Sequence, residues 1–323
     1  MNNNNSNKIK IDYVSATKIA SDSIPIVVLI GIIGNVLSFI IFSRKKFKNT
    51  IFDTYFRYMT ITDTLTMPYS MTVYLITRFE LSIPDWNIFY CKYVVYLTFV
   101  SPSISAWLLV GISFDRMINI VFPFKFSIIK KKKLFQYLYC LLASFCCMAV
   151  YSPVFIYFQF NSKSNFDNQT NQTISFYYCE QKPEVSIISQ FDIFYANVLP
   201  VVIMVIFNIV TIKTLFQSRF KSSIGLTKRD IRFAFTSFTL NFFFFFLLIV
   251  SQIYFLFFPY SYLEPSEQSQ FWQTITSSIY TINFSLIFYV NLIINSMFRE
   301  ELFKIIAKIK NIFNFGHFSN SLS

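Results

Sequence analysis

The most restrictive feature of this chain is a series of long apolar blocks separated by polar connections. Each block has about 20 or more residues, the length that a helix needs to cross the ~30 Å hydrocarbon layer of a bilayer. Only 14% of the residues are charged, whereas a soluble domain carries roughly 25%. The chain is therefore predicted to be an all-α integral membrane protein.

Seven blocks can be counted, and they predict a seven-transmembrane helix bundle. They lie near Ile24–Ser43, Tyr55–Ile76, Cys91–Ile118, Leu134–Phe158, Ile193–Phe216, Ile231–Phe258 and Phe271–Asn295. After them, Met297–Ile312 alternates apolar residues with lysines in a pattern typical of a short eighth helix in the membrane interface. The predicted organisation is a polar segment (residues 1–23), a transmembrane domain (24–296), an interfacial helix (297–312) and a tail (313–323).

The basic residues predict the orientation of the bundle. Of the 28 Lys and Arg residues, 21 fall in the odd-numbered connections and the tail, and seven fall on the opposite side. Cytoplasmic loops carry the Lys and Arg excess, so the N terminus is predicted outside and the C terminus in the cytoplasm. Three glycosylation sequons, at Asn4, Asn168 and Asn171, lie on the predicted outer side.

Ionisable and cysteine residues mark candidate sites within this frame. An ionisable residue inside the membrane is a functional hypothesis by default, and Asp63 lies in the middle of the second block, with Asn35 and Asn283 as candidate polar partners. A purely structural hydrogen-bonding role is the alternative. Cys91 and Cys179 lie in or beside outer loops, where a disulfide persists; the alternative is two unrelated thiols.

The third block ends in Asp115-Arg116-Met117, and Pro123 follows in the next connection. An acidic and basic pair at the mouth of a helix can be an ordinary interfacial pair whose long side chain reaches the headgroups. Its surroundings favour a functional interpretation.

Taken together in their order along the chain, these motifs resemble those of rhodopsin-like (class A) G-protein-coupled receptors over about residues 24–310. Asp115-Arg116-Met117 stands where the family has Asp-Arg-Tyr, and Arg116 follows Cys91 at the family's usual spacing. The other matches are Gly34-Asn35, Met59-Thr60 before Asp63, Trp86 before Cys91, Pro123, Pro200 and Phe298-Arg299.

The resemblance implies a plasma-membrane receptor that transmits the binding of an extracellular ligand to a heterotrimeric G protein. Arg116 would be held by Asp115 at rest and released toward the G protein on activation. Asp63 would line a cavity open to a sodium ion, the one ion implied, and Cys91 and Cys179 would form the outer disulfide. Such a receptor is a two-state bundle whose equilibrium the ligand shifts through differential affinity.

The chain also departs from the family's pattern. The sixth block has no Cys-Trp-x-Pro motif: it runs Phe242 to Phe246, and no proline follows before Pro259. The seventh block has no Asn-Pro-x-x-Tyr, and the corresponding stretch runs from Ile287 to Asn291. The resemblance therefore does not extend to the proline motifs on which the family's helix movements depend.

The ligand is predicted by elimination and by charge. No lysine lies between Phe271 and Asn295 to hold retinal, and Thr98 and Phe99 occupy the region where amine receptors place an aspartate. Thr98, Phe99 and Pro102 are the candidate pocket residues. The outer side holds ten acidic against seven basic residues, which favours a basic or amidated peptide. The chain is similar to invertebrate neuropeptide receptors of the FMRFamide-like kind; an orphan chemosensory receptor is the alternative.

Other functional classes fit the sequence less well. The net charge of +12 lies in connections between apolar blocks, so it does not indicate nucleic-acid binding. No nucleophile, acid–base pair or metal-ligand spacing suggests an enzyme or a metal site. A small transporter would need ionisable residues in several spans, whereas Asp63 stands alone. A decoy that keeps the bundle without signalling remains open because of the missing motifs.

Overall fold

The computed structural model describes residues 12–48, 53–121, 133–167, 172–182, 185–221, 228–257 and 266–319. Within these ranges helices follow the seven predicted blocks, and we number them as spans 1 to 7. Span 1 comprises Tyr13–Ser21 and Ser23–Phe42; span 2 is Asp53–Phe79; span 3 is Val95–Val121, after a π turn at Tyr90–Val94; span 4 is Lys133–Val150; span 5 comprises Val185–Asp192, a π turn at Ile193–Val198 and Leu199–Lys221; span 6 is Lys228–Phe257; span 7 comprises Glu267–Asn283 and Leu286–Ile294.

An eighth helix, Ser296–Ser319, follows span 7, and short helical segments lie at Lys45–Lys48, Ile83–Asp85 and Val154–Tyr157. Two antiparallel strands, β1 (Phe158–Asp167) and β2 (Gln172–Gln181), form a hairpin between spans 4 and 5. We call the end of the bundle that carries this hairpin the hairpin end, and the opposite end the helix-8 end. The sequence predicts no hairpin here, because its strands lie in a polar connection.

Length and composition separate the spans into two groups. Among the described residues, four helical stretches, in spans 1, 3, 4 and 5, are long and apolar enough to cross a membrane, and span 7 joins them if its two pieces count as one. Span 2 is long enough, with 27 residues, but buries a polar face. Thr62 and Thr66 on this face bond Ser105 and Ser101 of span 3 at 2.6 and 3.0 Å. The polar face is stable because it meets a polar partner.

Span 1 begins earlier than its apolar block predicts. Its helix starts at Tyr13, where the Asp12 side chain accepts hydrogen bonds from the backbone N–H and the hydroxyl of Ser15. Such an N-cap satisfies donors that the first turn leaves free. The first turn also packs on span 7, with the rings of Tyr13 and Phe271 5.9 Å apart. Part of the segment predicted as a separate polar N terminus is thus an extension of span 1.

Span 7 is bent where the sequence predicts one continuous helix. Its two pieces meet at Phe284 and Ser285 with an angle of 47° between them. Span 1 lies close to this break, since a Cβ added to Gly31 would lie 2.3 Å from Ser285 Oγ. Gly34 makes a second close approach, to Phe288. Glycine lets the two helix backbones come together, as small residues do at membrane helix interfaces.

Candidate functional site

The hairpin end is fixed by a disulfide between Cys91 and Cys179, with an S–S distance of 2.06 Å. Cys91 lies in the π turn that begins span 3, and Cys179 lies on β2. Asp85 supports the junction, because its Oδ1 accepts a hydrogen bond from the backbone N–H of Cys179 at 2.6 Å. Trp86 is exposed and packs its ring edge-on against Tyr90. The predicted cysteine pairing is confirmed.

Asp63 lies deep in the bundle, with 1% of its surface exposed. Its Oδ1 accepts a hydrogen bond of 2.6 Å from Ser105 on span 3. Asp63 and Asn283 line a common cavity of about 10 Å³, enough for roughly one water molecule. Asn283 Nδ2 has no hydrogen-bond partner within the described part of the chain. The structure thus brings Asp63 and Asn283 to one small polar cavity.

Asn35 has a different partner from the one expected. Its Nδ2 donates a hydrogen bond of 3.1 Å to the backbone carbonyl of Phe284, at the break in span 7. A broken helix leaves carbonyl groups without their usual intrahelical donors. Asn35 therefore satisfies a group that the bend exposes, and it belongs to the bend more directly than to the Asp63 cavity.

Asp115 and Arg116 lie at the helix-8 end of span 3. Arg116 is 4% exposed. The Asp115 carboxylate accepts a hydrogen bond of 3.2 Å from Gln136 on span 4, so it joins spans 3 and 4. The predicted restraint of Arg116 by Asp115 stays a prediction.

Ion pairs attach the eighth helix to the connection that follows span 1. Arg44 pairs with Glu301 at 3.1 Å and Lys46 with Glu300 at 2.5 Å. A hydrogen bond from Lys304, assisted by Arg44, holds the pKa of Glu301 below its ordinary value. Phe298 is fully buried between the rings of Phe42 and Phe288. The eighth helix is therefore packed against span 1 as well as continuing span 7.

The three residues predicted to line a ligand pocket have different surroundings. Pro102 is buried inside span 3, which continues through it without a break, and it lines a second cavity of about 20 Å³. Phe99 stacks on Tyr151 with ring centres 5.8 Å apart. The Thr98 hydroxyl donates to the Val95 carbonyl of its own helix. The sequons at Asn4, Asn168 and Asn171 and the loop residue Pro123 lie outside the described residues.

The structure reveals the positions of two further polar residues, Ser105 and Asp192. Ser105, the partner of Asp63, belongs to a Ser-x-Ser-x-Ser run at 101–105 within an apolar block, a signal that could have indicated a polar inner face. In the sequence, Asp192 lies directly before the fifth apolar block, and it is one of the ten acidic residues of the predicted outer side. In the structure it closes the first helix of span 5 and lines the second cavity with Pro102.

Comparison with known proteins identifies the family. A family model described as "7 transmembrane receptor (rhodopsin family)" matches residues 34–298, which is most of the chain. A comparison with curated proteins found no match. The matched region contains spans 2 to 7 and the last part of span 1, from Gly34, together with the disulfide and Asp115-Arg116. The chain belongs to the rhodopsin family of seven-transmembrane receptors.

Proposed function

We propose that this receptor binds a basic or amidated peptide at the hairpin end, outside the cell, and activates a heterotrimeric G protein at the helix-8 end, in the cytoplasm. The observation that carries the proposal is the family membership over residues 34–298 with Arg116 buried at the end of span 3. The disulfide agrees with this orientation, because disulfides persist outside the cell. The orientation also follows the basic-residue excess.

The proposed coupling to a G protein is tested by measuring nucleotide exchange. Cells that express the receptor with promiscuous G proteins are screened with a library of amidated peptides, and exchange is then measured on purified G proteins with the active peptide. We expect Arg116→Ala to abolish exchange while peptide binding persists. Lys308→Ala, which changes an exposed lysine of the eighth helix, is the matched control.

Three results would overturn this assignment. Exchange that is unchanged in Arg116→Ala would remove the proposed role of the arginine. Peptide binding with no exchange on any G protein would indicate a non-signalling decoy, the alternative that the proline-free span 6 keeps open. Solute flux through receptor-containing vesicles would indicate a transporter instead.

The orientation and glycosylation have their own test. An epitope tag at the N terminus should be reached by antibody on intact cells, and one at the C terminus only after permeabilisation. Glycosidase should reduce the apparent mass, and replacing Asn168 and Asn171 by Gln should reduce that shift. Antibody access to both tags from the same side would contradict the proposed topology.

A sodium ion fits the cavity at Asp63. Oxygen ligands suit hard cations, and Asp63 and Ser105 place a carboxylate and a hydroxyl at 2.6 Å from each other at the cavity wall. Asn283, whose amide could turn its oxygen inward, lies on the same wall. We expect sodium to raise the thermal stability of the wild type and not that of Asp63→Asn, with potassium as the control ion.

A further inference from the structure

We propose that Asp192 binds a primary ammonium group of the receptor's ligand, in the cavity between spans 3, 5, 6 and 7. This inference rests on the proposed receptor function and specifies the chemistry of the ligand. The position of Asp192 also changes the expectation that amine ligands are disfavoured. That expectation rested on the lack of an aspartate in span 3, whereas Asp192 comes from span 5.

The π turn of span 5 puts Asp192 on the cavity wall. Asp192 is the last residue before the π turn Ile193–Val198, and the Asn197 side chain donates to the Asp192 carbonyl at 3.3 Å. A π turn shifts the helical register by about one residue and is frequent at functional sites. Asp192, Ala196 and Asn197 consequently line the same cavity.

The carboxylate of Asp192 has a neutral partner. The Tyr151 hydroxyl donates to its Oδ1 at 2.5 Å. No ion pair between residues of the described ranges includes Asp192. A carboxylate inside a membrane bundle is costly unless a cation pairs with it. An incoming cation would supply that partner.

The size and lining of the cavity select the cation. Its volume of about 20 Å³ admits a group of roughly the size of a water molecule or slightly more. An ammonium group fits this space better than a planar guanidinium. The remaining wall is Pro102, Phe244, Tyr280 and Phe284, and aromatic faces attract cations. The rest of the ligand would extend toward the hairpin end.

The same cavity adjoins the break in span 7. Phe244 and Phe284 line both this cavity and the Asp63 cavity, so these two side chains separate them. Phe284 is also the residue whose carbonyl Asn35 binds. An ammonium group at Asp192 would therefore contact the bend directly.

The test measures the binding of small probes to the purified full-length receptor in lipid nanodiscs, without G protein. Binding is detected by saturation-transfer NMR. The probes are 2-phenylethylamine, its neutral counterpart 2-phenylethanol and its trimethylated quaternary analogue. We expect the primary amine to bind and the alcohol and the bulkier quaternary ion to bind far more weakly. Phenylalaninamide and acetyl-lysine-methylamide then distinguish a peptide N terminus from a lysine side chain as the source of the ammonium.

Asp192→Asn keeps the side-chain shape and should weaken amine binding by about thirtyfold or more. Glu180→Gln, an exposed acid on β2, is the control and should bind as the wild type does. Equal binding of amine and alcohol to the wild type, or no amine binding, would overturn the inference without any variant. Undiminished binding by Asp192→Asn would overturn it too. A receptor that fails to activate any G protein can still bind the amine, so the two proposals fail separately.

Discussion

Spans 6 and 7 both lack the proline motif that the family places in them, yet they have different shapes. Span 6 is an unbroken helix of 30 residues, Lys228–Phe257. Span 7 bends by 47° at Phe284 and Ser285. The difference lies in the neighbours. Both spans bury polar side chains, Thr236, Ser237 and Asn241 in span 6 and Thr281, Asn283, Ser285 and Asn291 in span 7, so what matters is which groups they meet on the neighbouring spans.

This difference shows how a membrane helix bends without proline. In lipid a freed backbone carbonyl needs a new partner, because no water is available. Span 7 finds one in Asn35 of span 1, and Gly31 provides the close approach. On span 6, Asn241 donates its amide to Ser113 of span 3, which joins two helices through side chains and leaves the backbone intact. We infer that the bend is a property of the contact between spans 1 and 7.

The largest expected effect comes from adding a proline to each helix. Phe243→Pro places it in the middle of span 6, removes a backbone hydrogen bond and should cost about 3 kcal/mol. Leu286→Pro places it at the first position after the break, where a missing N–H is tolerated, and should cost less than half as much. Thermal unfolding of the purified proteins measures both, with Phe243→Ala and Leu286→Ala accounting for lost side-chain packing. Equal losses would mean that the break is no better adapted to proline than span 6.

The next largest effect on stability is expected at Gly31, where spans 1 and 7 approach each other closely. Gly31→Val would force side-chain atoms into Ser285 and Met67, and overpacking of this kind costs about 1–3 kcal/mol. Ile33→Phe enlarges a residue of the same helix that is 51% exposed on the lipid-facing side, and it should change stability little. Surface expression and unfolding temperature are the measurements. If both variants behave alike, the contact between spans 1 and 7 does not depend on this glycine.

Removing the donor at the break should have a moderate effect. Asn35→Leu leaves the Phe284 carbonyl without its partner, at a cost of about 1 kcal/mol, and should reduce the bend. Spin labels at Trp272 and Ile293, on a background without free cysteines, report the end-to-end distance of span 7, which we expect to lengthen. Asn291→Leu removes an amide that donates to the Ile287 carbonyl of its own helix and is the control. An unchanged distance in Asn35→Leu would show that the bend is intrinsic to span 7.

The smallest expected effect concerns hydroxyl groups that bond their own helices. Ser285 Oγ donates to the Thr281 carbonyl at 3.0 Å, and Thr239 Oγ1 donates to the Phe235 carbonyl at 2.9 Å. Such bonds often bend a helix but destabilise it only slightly. Ser285→Ala and Thr239→Val should each change stability by less than about 0.5 kcal/mol. A much larger loss from Ser285→Ala than from Thr239→Val would assign part of the bend to the serine.

Much of the architecture could be predicted because apolar length is a local property of the chain. The seven blocks, the amphipathic eighth helix and the two cysteines of the hairpin end could be identified without knowledge of neighbouring helices. The prediction that Asp192 lies in an outer loop was wrong because it also used local sequence alone. Asp192 lies directly before an apolar block, and local sequence assigns such a residue to the loop. Only the π turn and the contact with Tyr151 put it on the cavity wall.

By itself the sequence determined the number of spans, their predicted orientation and the family, since these follow from apolar blocks, loop charges and the spacing of a few residues. The tertiary structure decided which polar side chains meet. Asp63 pairs with Ser105 and Asn35 with the Phe284 carbonyl because helix packing sets their distances. A membrane bundle satisfies its buried polar groups between helices, and those pairings depend on rotations and bends that no single helix encodes.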